Sequence, residues 1–483
     1  MPITTEFSLL KRRRTKIVAT VGPATGAAKA LERLIEAGVA VFRLNMSHGD
    51  RDFHRRTYRR IREAAARRGT TVAVLVDLCG PRIRTGAFRD GGIRLREGES
   101  ATVTTRQVTG APGLIPSQYQ RLAADVRPGS RIMLKDGLLE LEVRAVSGTE
   151  IECTVTRGGE LRDHNGINIP GAAVSAPCIT AKDREDACFA LEAGADFLAL
   201  SFVRRAEDIE QLRALVRKQG GKTGIIAKIE RAPALENADS ILDSADGIMV
   251  ARGDLGVELL PEQVPMAQNE LIRRARRKCK SVIVATQMLE SMIRSARPTR
   301  AEVSDVAHAV NEGADALMLS GETAIGEYPV EAVRIMDRIA RQTEAHLWRQ
   351  GDVDNPFLVA PGERARIGDA IAHITAMLAR DLKVHAIVVL SRTGMSAATM
   401  SAVRPAAPIL AIAGDAQVRR QMVLHWGIIP LEIEPEETAD AVALTRRLAQ
   451  EQSLADPGDF VLLVQGFQSD PKSSAPSVTA VMV

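Results

Sequence analysis

The chain has 483 residues, enough for about three domains, and its 45% hydrophobic and 26% charged content is that of a folded protein with a large core. A net charge of +4 and only 3% aromatics argue against a nucleic-acid binder built on base stacking, and no apolar run is long enough to span a bilayer. Five scattered cysteines (Cys79, Cys153, Cys178, Cys188, Cys279) with no C-x-x-C spacing read as reduced thiols, not as a disulfide or zinc framework.

The N-terminus "MPITTEFSLLKRRRTK" lacks the apolar core of a signal peptide, so a cytoplasmic location is expected. The basic runs "KRRR" from Lys11 and "RRARRK" from Arg273 read as solvated faces, because nucleic-acid binding needs a broader basic surface. Short apolar runs, most of them rich in β-branched residues, then recur in order: "KIVATVG", "VFRLNMS", "VAVLVDL", "DFLALSF", "GIIAKIE", "GIMVARG", "SVIVATQ" and "ALMLSGE". Amphipathic stretches such as "ALERLIEAG" separate them. Apolar strands joined by helical crossovers predict a parallel sheet covered by helices, and eight units predict a closed (β/α)₈ barrel.

One interval departs from this rhythm. Residues 79–178 alternate strands with glycine turns, as in "GGIRLREGESATVTT" and "EIECTVTRGGEL", and predict a small inserted β domain. It leaves the chain at the C-terminal end of the third strand, where a lid would sit. The barrel thus occupies 1–78 and 179–349. A Pro- and Gly-containing stretch, "GDVDNPFLVAPGERA", opens the last region, 350–483. There the helix and strand patterns alternate again and predict a doubly wound α/β domain.

Barrel chemistry gathers at the C-terminal strand ends. In order these carry Arg43, Asn45, Ser47 and His48; Asp77, then Arg82 and Arg84; Lys228 and Glu230; Arg252, Gly253 and Asp254; Thr286 and Gln287; and Ser320 and Glu322. Glu230 and Asp254 lie on neighbouring units and suit a shared Mg²⁺, which takes one or two carboxylates and fills its shell with substrate oxygens and water. Arg43, Arg84 and Lys228 suit phosphate. Lys228 and Glu230 leave the same strand face, being two residues apart. The backbone after Ala251 opens a helix, and its free N–H groups beside Gly253 suit a carboxylate. The triplet Arg252–Gly253–Asp254 also spells an adhesion motif, a chance match in a chain without signs of secretion.

The segments "KIVATVGPAT", "FRLNMSHG", "GPRIRTG", "AKIE", "VARGDLGVEL", "ATQMLESM" and "NEGADALMLSGETAIGEYPVEAV" resemble the pyruvate kinase family, in that family's order, from about residue 14 onward. The resemblance implies a TIM barrel with a small β-barrel lid and a C-terminal α/β regulatory domain. It implies phosphoryl transfer from phosphoenolpyruvate to ADP with Mg²⁺, or Mn²⁺ as an alternative ion, in a homotetramer. It implies that Glu230 and Asp254 bind the metal, that Lys228 stabilises the phosphoryl in flight, and that Arg43 binds phosphate. The substrate set is then Arg43, Ala251, Arg252, Gly253, Asp254 and Thr286, with the Arg252 side chain turned into an ion pair. Asn45, His48 and Arg84 fall on the nucleotide side. The enolate is protonated at carbon, with Thr286 a candidate to act through water.

Three departures stand out. Cys79 replaces a lysine common in the family. Asn165, in "LRDHNGINIPG", replaces a lysine assigned to ATP in animal members. Leu78 and Arg82 replace the Thr and Glu of potassium-dependent members, which hold the ion near Asn45, Ser47, Asp77 and the Leu78 carbonyl. The fixed charge of Arg82 is therefore expected to stand in for K⁺. In the last domain, Ser391, Arg392, Thr393, Gly394 and Ser396 follow a strand, open a helix and match the family's effector loop, which implies a phosphorylated activator. Two other readings stay open: a pyruvate lyase or aldolase, which needs neither a closing lid nor Lys228, and an inactive sugar-phosphate sensor, which needs no metal pair.

Overall fold

A computed structural model describes residues 12–172, 175–350, 366–433, 437, 439–467 and 475–483. The expected linker at 351–365 and the first residue of the "KRRR" run lie outside the described residues. Eight parallel strands close into one barrel: β1 (Lys16–Thr20), β2 (Val41–Asn45), β3 (Ala73–Asp77), β4 (Phe197–Leu200), β5 (Gly224–Ile229), β6 (Gly247–Ala251), β7 (Ser281–Ala285) and β8 (Ala316–Leu319). Every strand falls on a segment read as one, and β1 pairs with both β2 and β8.

Side chains alternate in and out along each strand. Val18, Val41, Leu75, Ala199, Ile226 and Met249 point inward and pack as the barrel's inner core. Ile17, Phe42, Val76 and Leu198 point outward and pack under the helices. Two residues further along the inward face stand Thr20, Arg43, Asp77, Ser201, Lys228 and Ala251. The barrel's polar rim is thus the continuation of its apolar interior.

Between β3 and the helix Ala181–Ala193 lies the lid. Six of its strands pair as one mostly antiparallel sheet, and Gly92–Leu95 pairs with Gly159–Arg162 as a separate ribbon. Val103, Ile115, Leu134, Leu141 and Ile151 give the lid its own core.

The C-terminal sheet runs β11-β10-β9-β12-β13, where β9 is Ile387–Leu390, β10 Ile409–Ile412, β11 Ile428–Leu431, β12 Phe460–Gln465 and β13 Ser477–Met482. Ile387, Ile409 and Leu462 face one core and Val388, Leu410 and Leu463 another, so both sheet faces are covered. Strand β13 was not among the expected elements. It is a largely exposed antiparallel edge strand, and among the described residues it pairs with β12 alone.

This domain closes the barrel's N-terminal face. Leu424 joins the inner core of the barrel. Trp426 N–H donates to Asp315 Oδ1 at 3.0 Å, and Arg420 Nε reaches the fully buried Asp196 at 2.6 Å. The basic runs are not purely solvated, which corrects the expectation. Arg13 pairs with Asp337, Arg14 is buried over the Trp348 ring, and Arg276 is held well below its usual pKa, at about 9, by burial. Among the described residues no helix is long and apolar enough to cross a membrane.

Candidate active site

Four inward-facing groups form a chain of alternating charge at the barrel mouth. Arg43 Nε and Nη2 reach Asp77 Oδ2 at 2.7 and 2.6 Å, and Nη1 donates to Thr20 Oγ1 at 3.1 Å. Lys228 Nζ lies 3.4 Å from Asp77 Oδ1 and 2.8 Å from Glu230 Oε1, and donates to Ser201 Oγ at 2.7 Å. Glu230 Oε2 accepts the Phe202 N–H at 2.7 Å. Asp77, Lys228 and Glu230 are all buried. Burial alone would push the Lys228 ammonium down, but Asp77 and Glu230 outweigh it and hold its pKa above the usual value. Burial likewise opposes the Asp77 carboxylate, yet Lys228 and Arg43 hold its pKa low. Each buried charge is offset by a partner, as burial requires.

Asp254 has no such offset. It lies half-buried in the first turn of the helix Arg252–Glu258. Burial and the Glu230 charge push its carboxyl up to about 6, against a weaker pull from Lys228 and Arg82. A second carboxylate held near Glu230 at an energetic cost is the donor set a hard divalent cation relieves. Among the described residues no group of three or more His, Cys, Asp or Glu is arranged to hold a metal. A pair of carboxylates suits an ion that completes its shell with other oxygens.

The turn after β6 explains its Arg-Gly-Asp sequence. Arg252 swings away from the mouth: Nη1 meets Asp305 Oδ1 at 2.6 Å and Nη2 donates to the Thr286 carbonyl at 2.7 Å. Only its backbone stays with the candidate substrate set. The Gly253 N–H is not free, which corrects the expectation: it donates to Thr286 Oγ1 at 2.7 Å, and a Cβ at Gly253 would lie 3.5 Å from that oxygen. Thr286 and Gln287 both have left-handed backbone, at φ 72° and 53°. That conformation costs about 1–3 kcal/mol per residue, more readily tolerated where the surroundings fix it. Here the bonds from Arg252 and Gly253 fix it.

The remaining predicted residues are distributed around this centre. Asn45 Oδ1 accepts the Ser47 N–H at 3.1 Å, and His48 is exposed beside them. Arg84 is half-buried, with Nη1 3.4 Å from the His164 carbonyl. Arg82 is exposed but acts electrostatically on Asp254. The Leu78 carbonyl already accepts from Ser201 Oγ at 2.8 Å. Asn165 is used inside the lid, its Oδ1 accepting the Arg162 N–H at 2.9 Å. Glu322 leaves the rim set altogether, because its oxygens accept the Ser320 and Leu289 N–H groups at 2.7 and 3.1 Å.

Three residues were missed. Ser201 and Thr20 are small hydroxyls at strand ends, and only the inward parity of β4 and β1 marks them. Asp136 sits in a lid turn where Lys135, Asp136 and Gly137 are all left-handed, at φ 51°, 55° and 84°. Gly137 lies against Val257 of the Arg252–Glu258 helix, so this turn reaches the mouth, and Asp136 adds to the charge that raises Asp254. "KDG" reads in sequence as an ordinary turn.

In the C-terminal domain, Ser391–Ser396 connects β9 to the helix Met395–Ala402, with Gly394 left-handed at φ 85°. Ser391 Oγ accepts the Ala397 N–H at 3.4 Å, Ser396 is buried, and Arg392 and Thr393 are exposed.

Comparison with known proteins agrees along the whole chain. A family model described as pyruvate kinase, barrel domain, matches residues 12–333, and one described as pyruvate kinase, alpha/beta domain, matches 369–476. The chain is 44% identical over 459 residues to pyruvate kinase 2 of Synechocystis sp., covering 94% of this chain and 76% of that one. It is 42% identical over 477 residues to the pyruvate kinase of Agrobacterium vitis, covering 98% and 97%. The crystal structure of a pyruvate kinase from Cryptosporidium parvum superposes with a TM-score of 0.90 at 35% identity, covering 98% of both chains.

Proposed function

Because the chain belongs to the pyruvate kinase family and is a phosphotransferase, we propose that it carries out Mg²⁺-dependent transfer of the phosphoryl group of phosphoenolpyruvate to ADP, giving pyruvate and ATP in cytoplasmic glycolysis. The observation that carries this reading is Lys228, buried between Asp77 and Glu230 with its ammonium kept charged. Phosphoryl transfer asks the protein for positioning and charge stabilisation, and a fixed buried cation supplies both.

Each residue then has a task. Arg43, locked by Asp77, binds the substrate phosphate. Lys228 follows the phosphoryl as its bond to the enol oxygen breaks and a bond to a terminal ADP oxygen forms. The carboxylate is received at the backbone of Ala251, Arg252, Gly253 and Asp254 beside Thr286, where it takes over the Gly253 N–H from Thr286 Oγ1. Glu230 and Asp254 would hold Mg²⁺ (Mn²⁺ as an alternative), which neutralises developing oxygen charge when bound. Asn45, His48 and Arg84 face the nucleotide. The enolate left behind takes a proton at carbon to become pyruvate. The purified protein given phosphoenolpyruvate, ADP and Mg²⁺ should form pyruvate and ATP in equal amounts. Pyruvate without ATP would overturn the reading and favour a lyase or phosphatase.

Arg82 extends this to the monovalent ion. A guanidinium cannot be deprotonated in a protein, and this one already acts on Asp254. On this reading its charge replaces the K⁺ that related potassium-dependent enzymes hold near the positions of Asn45, Ser47, Asp77 and the Leu78 carbonyl. Full turnover is expected in buffer whose only monovalent cation is a bulky organic ammonium. Arg82→Glu with Leu78→Thr should create a K⁺ requirement. Strong K⁺ activation of the wild type at saturating substrates would refute the substitution.

The Ser391–Ser396 turn is proposed to hold the phosphate of an activating metabolite on Ser391, Arg392, Thr393, Gly394 and Ser396. Ser391→Ala with Arg392→Ala should abolish activation and leave basal turnover intact, a loss of about 1–3 kcal/mol of coupling. Activation that persists in saturation curves would place the effector elsewhere. A homotetramer is also part of this reading. Ile374 and Met377, one turn apart, and Met482 are large exposed apolar residues on the C-terminal domain and support an interface between copies.

A further inference from the structure

A cavity of about 660 Å³ lies between Trp348, near the end of the barrel domain's helix Pro329–Gln350, and the helix Ile367–Asp381 of the C-terminal domain. Arg14, two residues before β1, forms a second wall, and the turn Arg404–Pro408 a third. The cavity shares no lining residue with the barrel mouth or with the Ser391–Ser396 turn.

Four arginines and lysines line it, Arg14, Arg380, Lys383 and Arg404, and among the described residues no Asp or Glu does. Arg14 is only 6% exposed. Its guanidinium lies over the Trp348 ring at 5.3 Å, and Nη1 donates to the Arg12 carbonyl at 3.0 Å. Its Nε has no hydrogen-bond partner, and among the described residues no carboxylate pairs with it. Glu344 acts on its charge from a distance, but the Glu344 oxygens accept the Arg14 and Thr15 N–H groups at 2.9 and 2.7 Å. Burial holds the Arg14 pKa well below the usual value, at about 10.

Arg404 is buried as deeply. Its Nη1 and Nη2 donate to the Ser401 and Gly313 carbonyls at 2.7 Å each, and Asp315 Oδ1 lies 3.1 Å from Nη1, but Nε again has no partner. Lys383 has no acidic partner among the described residues. Arg380 pairs with Asp381 at 3.1 Å, with both side chains exposed, so that pair contributes little. Buried donors left without acceptors are costly, and an anion would relieve them.

The walls also select the kind of anion. Guanidinium forks on separate elements suit planar carboxylates. Phosphate sites draw on backbone N–H groups at a helix N-terminus. Here the helix Ile367–Asp381 presents its last turns, and Pro405 and Pro408 have no N–H to give. With no Asp or Glu in the lining, an ammonium group would find no counter-charge, which disfavours a zwitterion. Between the cations the surface is small and apolar, with Ala376, Ala379, Val384 and Ala407. The volume lies within the range of small-molecule sites. We propose that this cavity binds a short aliphatic dicarboxylate, one carboxylate on Arg14 and the other toward Arg380 and Lys383. Such a ligand would tie the barrel domain, through Arg14, to the C-terminal domain.

Succinate is the probe, titrated calorimetrically into the full-length protein in metal-free buffer. It should bind the wild type more tightly than acetate, inorganic phosphate or uncharged succinamide. Arg380→Glu with Lys383→Glu, both exposed and remote from the barrel mouth, should raise its dissociation constant at least about tenfold, equivalent to roughly 1.4 kcal/mol. Arg14→Met should abolish binding without lowering the thermal midpoint of the ligand-free protein, because it replaces an uncompensated buried charge by an apolar chain. Lys228→Met should bind succinate as the wild type does, which separates this cavity from the barrel mouth. Turnover without succinate should be unchanged in the charge-reversal variant, which stays decisive if Arg14→Met misfolds. No binding to the wild type, equal binding of inorganic phosphate, binding unaffected by charge reversal, or binding lost in folded Lys228→Met but kept in Arg14→Met would each overturn the proposal.

Discussion

Lys228→Met is expected to lower kcat by about 10²–10³-fold or more, the cost of removing a preorganised electrostatic partner, with a much smaller change in KM for phosphoenolpyruvate. The reason is differential binding. Arg43 and the backbone of Ala251–Asp254 hold the ground state, whereas the ammonium gains most when the phosphoryl is between its two oxygens. Methionine keeps the unbranched shape of the side chain and removes the charge. Glu230 and Asp77 then lose a shared cation, and breaking a buried pair costs about 3–5 kcal/mol. Asp77 keeps Arg43 at 2.6 Å and Glu230 keeps the Phe202 N–H at 2.7 Å, so the variant should fold with a lowered midpoint. Steady-state kinetics and thermal unfolding on the same preparation separate the two effects. A folded variant with near-normal kcat would remove Lys228 from the chemistry.

Asp254→Ala and Glu230→Ala should each raise the Mg²⁺ needed for half-maximal rate by about 10- to 100-fold, the loss that even a residue orienting a metal ligand causes. Their effects on the metal-free protein should differ in sign. The Asp254 carboxyl is raised to about 6 by burial and by Glu230. An acid whose folded pKa exceeds its unfolded one destabilises the fold when ionised. The penalty is absent below the unfolded pKa and complete above about 6. At neutral pH without metal, Asp254→Ala should therefore raise the thermal midpoint. Glu230→Ala should lower it, because Lys228 loses a partner at 2.8 Å and the Phe202 N–H loses its acceptor. An unchanged Mg²⁺ titration in both variants would put the ion elsewhere.

Much of this was legible in the chain itself, for a physical reason. Parallel barrel strands are apolar on both faces, so each of the eight stood out as a short apolar run, and the two-residue period carried Ile226 to Lys228 and Leu75 to Asp77. What the period could not reveal was partnership. Glu322 looked like another rim carboxylate, but its oxygens close on backbone N–H groups. Ser201 looked like an ordinary strand end, yet it links Lys228 to the Leu78 carbonyl. Asp136 lies far from Asp254 in sequence, and only folding of the lid brings its turn to the mouth. Strand β13 escaped because an edge strand need bury only one face. Nothing local in the sequence marks Leu424 as a member of the inner core of a barrel built from the earlier part of the chain.

The account's central claim is a division of labour: Lys228 serves the phosphoryl, while Glu230 and Asp254 serve the metal and through it the enolate. Exchange of pyruvate methyl hydrogens in D₂O with Mg²⁺, followed by NMR alongside ATP formation from phosphoenolpyruvate and ADP, tests it most directly. Lys228→Met should keep exchanging pyruvate at a rate close to the wild type while forming almost no ATP, and Asp254→Ala should lose both. Equal loss of exchange and ATP formation in folded Lys228→Met would contradict it.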